Sequence, residues 1–182
     1  MQLARSPAAP VKHLQIASRA RGFTLVELMV TVAVAAILMA IATPSFTSII
    51  NSNRLTSAAN EMVATLQFAR MEAVRQNRTV RVCSSGNGTS CGGGGAWLVL
   101  DAAGAVLRVN QVNPKVVSSA TVGSFIFRAD GLARETAASG LLNNDLRFCI
   151  DTTTPKQNIR LVSIGSGSRV STSTPKDGGA CK

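Results

Sequence analysis

The chain has 182 residues, of which 46% are hydrophobic, and its 19 basic residues outweigh nine acidic ones to give a formal charge of +10. This length is that of one modest domain and excludes a large multidomain protein. The only histidine is His13, near the N-terminus, and no H-E-x-x-H motif occurs. We therefore expect no enzyme, no catalytic residue and no cofactor.

The first 22 residues form a basic leader without an acidic residue. Its charged residues are Arg5, Lys12, Arg19 and Arg21. Residues 23–42 follow, and their only ionisable side chain is Glu27. As a helix, twenty such residues are long enough to cross the roughly 30 Å hydrocarbon core of a bilayer. We therefore predict a transmembrane segment over residues 23–43.

The position of the basic residues predicts the orientation of this segment. Lys and Arg beside a span hold that side in the cytoplasm. We expect a single-pass inner-membrane protein with a cytoplasmic N-terminus and a periplasmic head, which extends outward if the chain enters a filament. Four basic residues lie in the leader, so the chain from Phe23 onward keeps fifteen basic and nine acidic residues, a charge of +6.

Gly22 lies on the unusual side of the apolar segment. In an ordinary secretory signal the small-residue cleavage site follows the apolar region, whereas here the glycine precedes it. Gly22, Phe23 and Glu27, followed by an apolar run, resemble the type IV prepilin signature. The resemblance implies that a prepilin peptidase cleaves after Gly22 and methylates the new amino group of Phe23. The apolar segment then stays on the mature protein as its anchor.

Glu27 is the acid inside the predicted span. An ionised carboxylate in hydrocarbon costs on the order of a few kcal/mol, so it needs a functional explanation. The resemblance implies that Glu27 pairs with the Phe23 amine of a neighbouring subunit during filament assembly. The alternative is that Glu27, only one turn from the mature N-terminus, reaches the lipid headgroups without a protein partner.

Residues 23–77 have the pattern of one long helix, whose second part, residues 44–77, is amphipathic. Its apolar residues recur at helical spacing, as Leu55, Ala59, Met62, Leu66, Ala69 and Ala73. This face predicts packing against a globular head. Pro44 removes an intrahelical hydrogen bond just after the span, which predicts a kink or local melting there.

Residues 78–182 predict a β-rich head. Short β-type runs alternate with turn residues, at Thr79–Cys83, Ala96–Asp101, Val106–Asn110, Phe125–Arg128, Leu146–Ile150, Ile159–Ile164 and Arg169–Thr172, with a hairpin turn at 102–104. One helix followed by seven strands indicates an α+β fold with a β-sandwich-like head. The glycine-rich tract 86–95 is expected to be mobile, and the polar end 171–182 to be held only by Cys181.

Four cysteines lie in the exported part, where an oxidising periplasm allows disulfides. They are Cys83, Cys91, Cys149 and Cys181, and three pairings are possible. Cys83 and Cys91 bracket a short polar loop that closes easily, so we favour this pair, with Cys149 bonded to Cys181. A metal site is the competing interpretation, but no C-x-x-C motif occurs and the single histidine lies in the leader.

Several segments of the head resemble the GspH/FimT branch of pseudopilins and minor pilins. They are residues 67–75 (QFARMEAVR), 80–83 (VRVC), the strand from Trp97 to Asp101, and 127–131 (FRADG). The resemblance implies a minor subunit of a type II secretion pseudopilus or a type IV pilus. Its partners would be other pilins or pseudopilins, the prepilin peptidase and the inner membrane.

DNA binding is the alternative function, since some FimT-like proteins take up DNA through a C-terminal G-R-x-R motif. Here the corresponding segment, residues 165–171, reads GSGSRVS, so Arg169 stands without a preceding glycine and Ser171 replaces the second arginine. Neighbouring basic residues that would have to complete the patch are Arg160, Lys156, Lys176 and Lys182. They are equally consistent with a solvated surface.

Two further patterns are open to more than one interpretation. A second basic cluster, Arg70, Arg75, Arg78 and Arg81, is consistent with DNA contact, with pairing to Glu72 or with a place at the junction of helix and head. The glycine tract lacks the G-x-x-x-x-G-K-[ST] spacing of a phosphate loop, so its glycines favour turn flexibility over nucleotide binding.

Overall fold

A computed structural model describes residues 22–181, apart from the side chains of residues 43 and 44. The predicted basic leader up to Arg21 and the terminal Lys182 lie outside the described residues. The chain divides into two compact units, with the boundary between Ala40 and Ile41.

One helix, α1, runs from Leu25 to Gln76, close to the predicted range 23–77. At its C-terminal end Asn77 takes a left-handed conformation with φ 51°. The Asn77 N–H donates to the Val74 carbonyl and the Arg78 N–H to the Ala73 carbonyl, which is the Schellman pattern that ends many helices. The helix does not end at Pro44, and the kink predicted there stays a prediction.

The second half of α1 supplies one wall of the core. The residues predicted from the helical spacing are all buried, with at most 3% of their surface exposed: Leu55, Ala59, Met62, Leu66, Ala69 and Ala73. They join one hydrophobic cluster with Trp97, Phe125 and Phe148 from the strands. This confirms that the amphipathic part of the helix packs on the head.

In the described residues, nine strands form two antiparallel sheets, which confirms the α+β class. The strands are β1 Val80–Ser85, β2 Ala96–Leu100, β3 Val106–Gln111, β4 Val117–Ala120, β5 Ser124–Phe127, β6 Ala133–Arg134, β7 Asn144–Cys149, β8 Ile159–Gly165 and β9 Arg169–Ser173. Sheet I has the order β3-β2-β1-β5-β6 and sheet II the order β4-β7-β8-β9. Both sheets contribute side chains to the cluster around α1.

The seven predicted strands are present with shifts of one or two residues at their ends, and two strands were not predicted. β4 has the sequence Val-Ser-Ser-Ala and pairs with β7, while β6 is only two residues long and pairs with β5. Neither segment has the alternating apolar pattern by which strands are recognised in a sequence. Their tertiary pairing alone gives them strand conformation.

The glycine-rich tract, which we expected to be mobile, forms hydrogen bonds within its loop. The Gly86 N–H donates to the Gly92 carbonyl at 2.7 Å, and the Ser85 hydroxyl donates to the Ser90 carbonyl at 2.7 Å. Cys83 is bonded to Cys91 across this loop. Cys83 also belongs to a small second cluster of buried residues on sheet I, with Leu98 and Leu100.

The C-terminal segment is held by more than its disulfide. Cys149, the last residue of β7, is bonded to Cys181. The buried Asn158 amide donates to the Gly179 carbonyl at 2.9 Å and accepts from the Gly179 N–H at 3.0 Å. Arg147 donates to the Ala180 carbonyl at 3.0 Å. These contacts fix the tail to sheet II.

Candidate functional site

The predicted processing site lies directly before the first turn of α1. Gly22, Phe23 and Thr24 are not helical. The Thr24 hydroxyl accepts from the Glu27 N–H at 3.2 Å, and the Thr24 carbonyl accepts from the Leu28 N–H at 3.1 Å. Thr24 therefore caps the helix, and the Gly22–Phe23 peptide bond stays in non-helical chain next to it.

Thr24 was not among the predicted site residues, although the sequence carries a signal for its cap. Thr24 and Glu27 have the T-x-x-E spacing of a capping box, in which the first residue caps the helix and the glutamate lies in its first turn. Glu27 also lies where the partial positive charge of the helix N-terminus stabilises a carboxylate. The same glutamate thus has a local role in the helix besides the role that we predict in assembly.

Residues 22–41 present an apolar surface all round. Every residue from Gly22 to Ile41 is exposed, and Phe23 and Glu27 are among them. Within the described part of the chain, α1 is the one helix that is long and apolar enough to cross a membrane, as judged by length and composition. The Glu27 carboxylate is therefore accessible to a partner on this surface.

Arg169 lies at one end of the head, in the hairpin between β8 and β9. It is exposed and pairs with Gly165 across the hairpin. The preceding residue, Ser168, is buried with φ 60°, and its hydroxyl accepts from the Ala133 N–H at 2.5 Å. The hairpin that carries Arg169 is thus bonded to the start of β6.

Arg70 connects the helix to the same hairpin. Its Nη1 donates to the Ser168 carbonyl at 3.4 Å. Its Nε also packs close to Gly131, since a β-carbon added to that glycine would lie 3.2 Å from it. Gly131 has a φ of +75°. Exposed Arg128 precedes Gly131 by three residues and lies 3.9 Å from the Asp130 carboxylate. We call the region around Arg70, Arg128 and Arg169 the Arg70 end of the head.

The other predicted DNA contacts lie at the opposite end. Arg160, at the start of β8, donates to the Ser52 hydroxyl at 3.0 Å, and burial lowers its pKa. Exposed Lys156 and Lys176 line one groove together with Asp151 and Asp177. This region is called the Ser52 end of the head.

The structure does not bring the four predicted DNA contacts into one patch. Ser52 and Arg70 are eighteen residues apart on one helix, which is about 27 Å at 1.5 Å per residue. The residues of β8 run between the two ends, so Arg160 and Arg169 are neighbours in the sequence but not in space. The prediction that these residues form one patch, which was based on their proximity in the sequence, is therefore wrong. A strand separates its two ends by about 3.3 Å per residue.

The second basic cluster is partly occupied by an internal ion pair. Arg75 contacts both carboxylate oxygens of Glu72, and Gln76 donates to the same carboxylate at 2.6 Å. The hydrogen bond from Arg75 lowers the pKa of Glu72 to about 2, with a smaller contribution from Gln76. Arg78 is exposed after the helix, and Arg81 is exposed on β1. Arg75 is thus engaged with Glu72, as one interpretation of the sequence proposed.

Besides the phosphate-loop spacing that it lacks, the glycine tract contains the spacing of a catalytic serine motif, but not its structural context. Residues 88–92 read GTSCG, which matches the G-x-S-x-G spacing of a nucleophile elbow. Here Ser90 lies in the loop closed by Cys83 and Cys91, where its hydroxyl accepts from the Asn87 amide at 2.9 Å. A nucleophile elbow joins a strand to a helix, and this loop joins β1 to β2.

Among the described residues, no group of three His, Cys, Asp or Glu is placed to hold a metal ion.

Two family models match the chain. The model of the type II transport protein GspH matches residues 58–169, which include the end of α1 from residue 58 and most of the head. The model of the prokaryotic N-terminal methylation motif matches residues 17–43, which include Gly22, Phe23 and Glu27. Among curated proteins, no sequence is significantly similar to this chain.

Solved structures of two proteins share the fold. One is the type IV minor pilin FimU of Pseudomonas aeruginosa, with a TM-score of 0.53 and 23% identity, over 69% of this chain and 96% of that one. The other is the minor pseudopilin EpsH from the type 2 secretion system of Vibrio cholerae, with a TM-score of 0.50 and 9% identity, over 68% of this chain and 99% of that one. At these identities the likeness concerns the fold alone.

Proposed function

This chain belongs to the GspH family of type II transport proteins, and from that membership we propose that it is a minor structural subunit of a type II secretion pseudopilus or a type IV pilus. The methylation motif over residues 17–43 supports processing as a pilin-like precursor. In this role the prepilin peptidase cuts between Gly22 and Phe23 and methylates Phe23. The helix from Phe23 anchors the subunit in the inner membrane, with the head in the periplasm.

The exposed apolar surface of residues 23–41 is the observation that supports assembly most directly. In the first unit, large apolar side chains such as Leu25 and Val26 expose 72% and 68% of their surface. Lipid covers this surface while the subunit is in the membrane, and helices of other subunits cover it in a filament. Glu27 lies on the same surface and pairs with the Phe23 amine of a neighbouring subunit, because an amine at that depth is the natural counter-charge of an intramembrane acid.

Replacing Glu27 tests this assembly role. In cells that assemble the filament, we expect Glu27→Ala and Glu27→Gln to be cleaved and inserted normally but to enter filaments about tenfold less, since each loses a charge-assisted pair. Thr31→Ala is the control, because Thr31 is exposed on the same helix and its hydroxyl donates only within the helix, to the Leu28 carbonyl at 2.9 Å. Normal incorporation of Glu27→Ala, measured by immunoblot of sheared filaments, would remove the assembly role.

Duplex DNA binding at the Arg70 end is the second candidate function. The placement of Arg169, Arg128 and Arg70 on three different elements at one end of the head supports it. Such binding depends on phosphate contacts, so it weakens steeply with salt. We expect Arg169→Gln to weaken retardation of duplex DNA by the full chain in detergent, and Lys156→Gln to leave it unchanged. Absence of retardation at low salt would exclude this function.

A further inference from the structure

Basic residues surround the helix at the Ser52 end of the head. One groove is lined by Arg54 and Lys115 together with Thr47, Ile50, Asn51, Ile150, Asp151 and Thr152. The groove that holds Lys156 and Lys176 adjoins it and shares Asp151 and Thr152 with it. We call the four basic residues Arg54, Lys115, Lys156 and Lys176 the base surface.

The base surface has a net positive charge. Its three lysines are exposed and Arg54 is half-exposed, while the acids lining the two grooves are Asp151 and Asp177. Among the described residues, no ion pair within 4 Å joins these four cations to an acid. The cations are therefore available to an anionic partner outside the head.

The chain holds the base surface close to the predicted end of the span. Thr47, which lines the groove of Arg54, follows Ala42 by five residues. Five residues reach about 17 Å when fully extended and about 8 Å as a helix, so this limit holds whatever the chain does at Pro44. The screening length at physiological salt is about 8 Å. The groove of Arg54 therefore begins about one to two screening lengths from the predicted end of the span.

Exposed apolar side chains fill the interval between span and base surface. Phe46, Ile49 and Ile50 expose 64%, 54% and 48% of their surface, although they follow the twenty-residue span. Apolar groups at the interface together with cations just beyond them are the combination that binds an anionic membrane surface. A solvated surface explains the lysines but leaves the three apolar side chains in water.

We propose that the base surface binds anionic phospholipid headgroups of the membrane that anchors the helix. This inference rests on the anchoring proposed above. It assigns Lys156 and Lys176 to the membrane, and it leaves the arginines of the other end free for partners farther from the bilayer. Binding holds the unassembled head down on the membrane, and entry into a filament breaks that contact.

Lysine accessibility in lipid nanodiscs tests the inference. The mature chain is inserted into discs of phosphatidylcholine alone and into discs that contain phosphatidylglycerol as well, and acetylation of each lysine by an amine reagent is followed by mass spectrometry. We expect Lys115, Lys156 and Lys176 to be acetylated at least about threefold more slowly with phosphatidylglycerol, and salt to remove the difference. Equal rates in both lipids would overturn the proposal.

Variants distinguish the base surface from a general effect of charge. Lys115→Gln, Lys156→Gln and Lys176→Gln together should abolish the protection by phosphatidylglycerol against amide hydrogen exchange in residues 151–158. The control carries Arg78→Gln, Arg128→Gln and Arg169→Gln at the other end and should keep that protection. Loss of protection in both variants would contradict the inference. Protection that depends on protein concentration would contradict it as well, because it would show that a second copy of the chain covers the surface. Failure to insert into either disc would overturn the anchoring itself, whereas insertion with equal acetylation overturns this inference alone.

Discussion

At the residue scale, Thr24 connects the predicted processing site to the helix. Its hydroxyl accepts from the Glu27 N–H, so it satisfies one of the first N–H groups of α1. Backbone groups without a partner are especially costly in hydrocarbon, where no water replaces the hydrogen bond. The cap therefore defines where the helix begins, and it leaves the Gly22–Phe23 bond, the predicted cleavage site, outside the helix.

Thr24→Ala should loosen the first turn. An N-cap contributes about 1 kcal/mol, so the amide hydrogens of Glu27 and Leu28 should exchange about fivefold faster in detergent micelles. Thr24→Ser keeps the hydroxyl and should exchange like the original chain. Unchanged exchange in Thr24→Ala would show that Thr24 does not cap the helix.

Asn158 should contribute to holding the tail on the head, besides the disulfide. Its side-chain amide bonds the Ile150 carbonyl and both backbone groups of Gly179 from a buried position. Asn158→Ala leaves these groups unpaired and should cost about 2 kcal/mol, which lowers Tm by about 4–8 °C. Asn143→Ala, at an exposed position, should change stability by less than about 0.5 kcal/mol. Equal Tm values for the two variants in thermal unfolding would contradict this role.

Glu72 should stay ionised far into the acid range. Its pKa in the folded chain is about 2, below the usual 4.5, because of the hydrogen bond from Arg75 first and that from Gln76 second. A lowered carboxyl pKa means that the contribution to stability is complete above pH 4.5 and is lost as the pH falls from there through 2. An NMR titration should show the midpoint rising in Arg75→Gln and unchanged in Arg78→Gln. A midpoint near 4.5 in the original chain would contradict the pairing.

At the scale of elements, the sequence predicts what local patterns encode. The helix range and its buried face follow from the 3.6-residue period of Leu55 to Ala73, and seven strands follow from short apolar runs between turn residues. β4 and β6 were missed because their sequences are short and polar, and only pairing with β7 and β5 makes them strands. Pairing with a neighbouring strand leaves no periodic apolar pattern in such short segments.

In the candidate site, too, some residues are identified by a local sequence pattern and others only by their place in the fold. Gly22, Phe23 and Glu27 belong to one continuous motif, so the sequence alone identifies them. The place of Arg160 depends on β8 and the helix, which carry it to Ser52 and away from Arg169. The contacts of Arg70 with Ser168 and Gly131 join residues about 60 to 100 positions apart, and no spacing rule predicts them.

The loop between β1 and β2 should depend on its disulfide. Closing a loop of this length stabilises by about 2–3 kcal/mol in the chain-entropy model. Replacing both Cys83 and Cys91 by Ser should therefore lower stability by that amount and speed hydrogen exchange at Gly86 and Gly92, whose amides are bonded within the loop. Disulfide mapping of the original chain by mass spectrometry should find Cys83 with Cys91 and Cys149 with Cys181. Any other pairing would contradict the structure described for the loop and the tail.

At the scale of the whole molecule, the charges separate by position along the head. The lysines of the base surface lie at the Ser52 end, and the arginines Arg70, Arg128 and Arg169 lie at the other end. The net charge of +6 that the chain carries from Phe23 onward is therefore not one patch. It divides into one part that we assign to the membrane and another that remains for filament partners or DNA.

The mature N-terminus tests the central claim most directly, because every proposed role depends on a chain that keeps its apolar helix after cleavage before Phe23. The protein is purified from cells with an active prepilin peptidase, and its N-terminal peptide is sequenced by mass spectrometry. We predict a chain that begins with N-methylated Phe23. A chain that still begins at Met1 in those cells, or that is cut after the apolar segment, would contradict the claim.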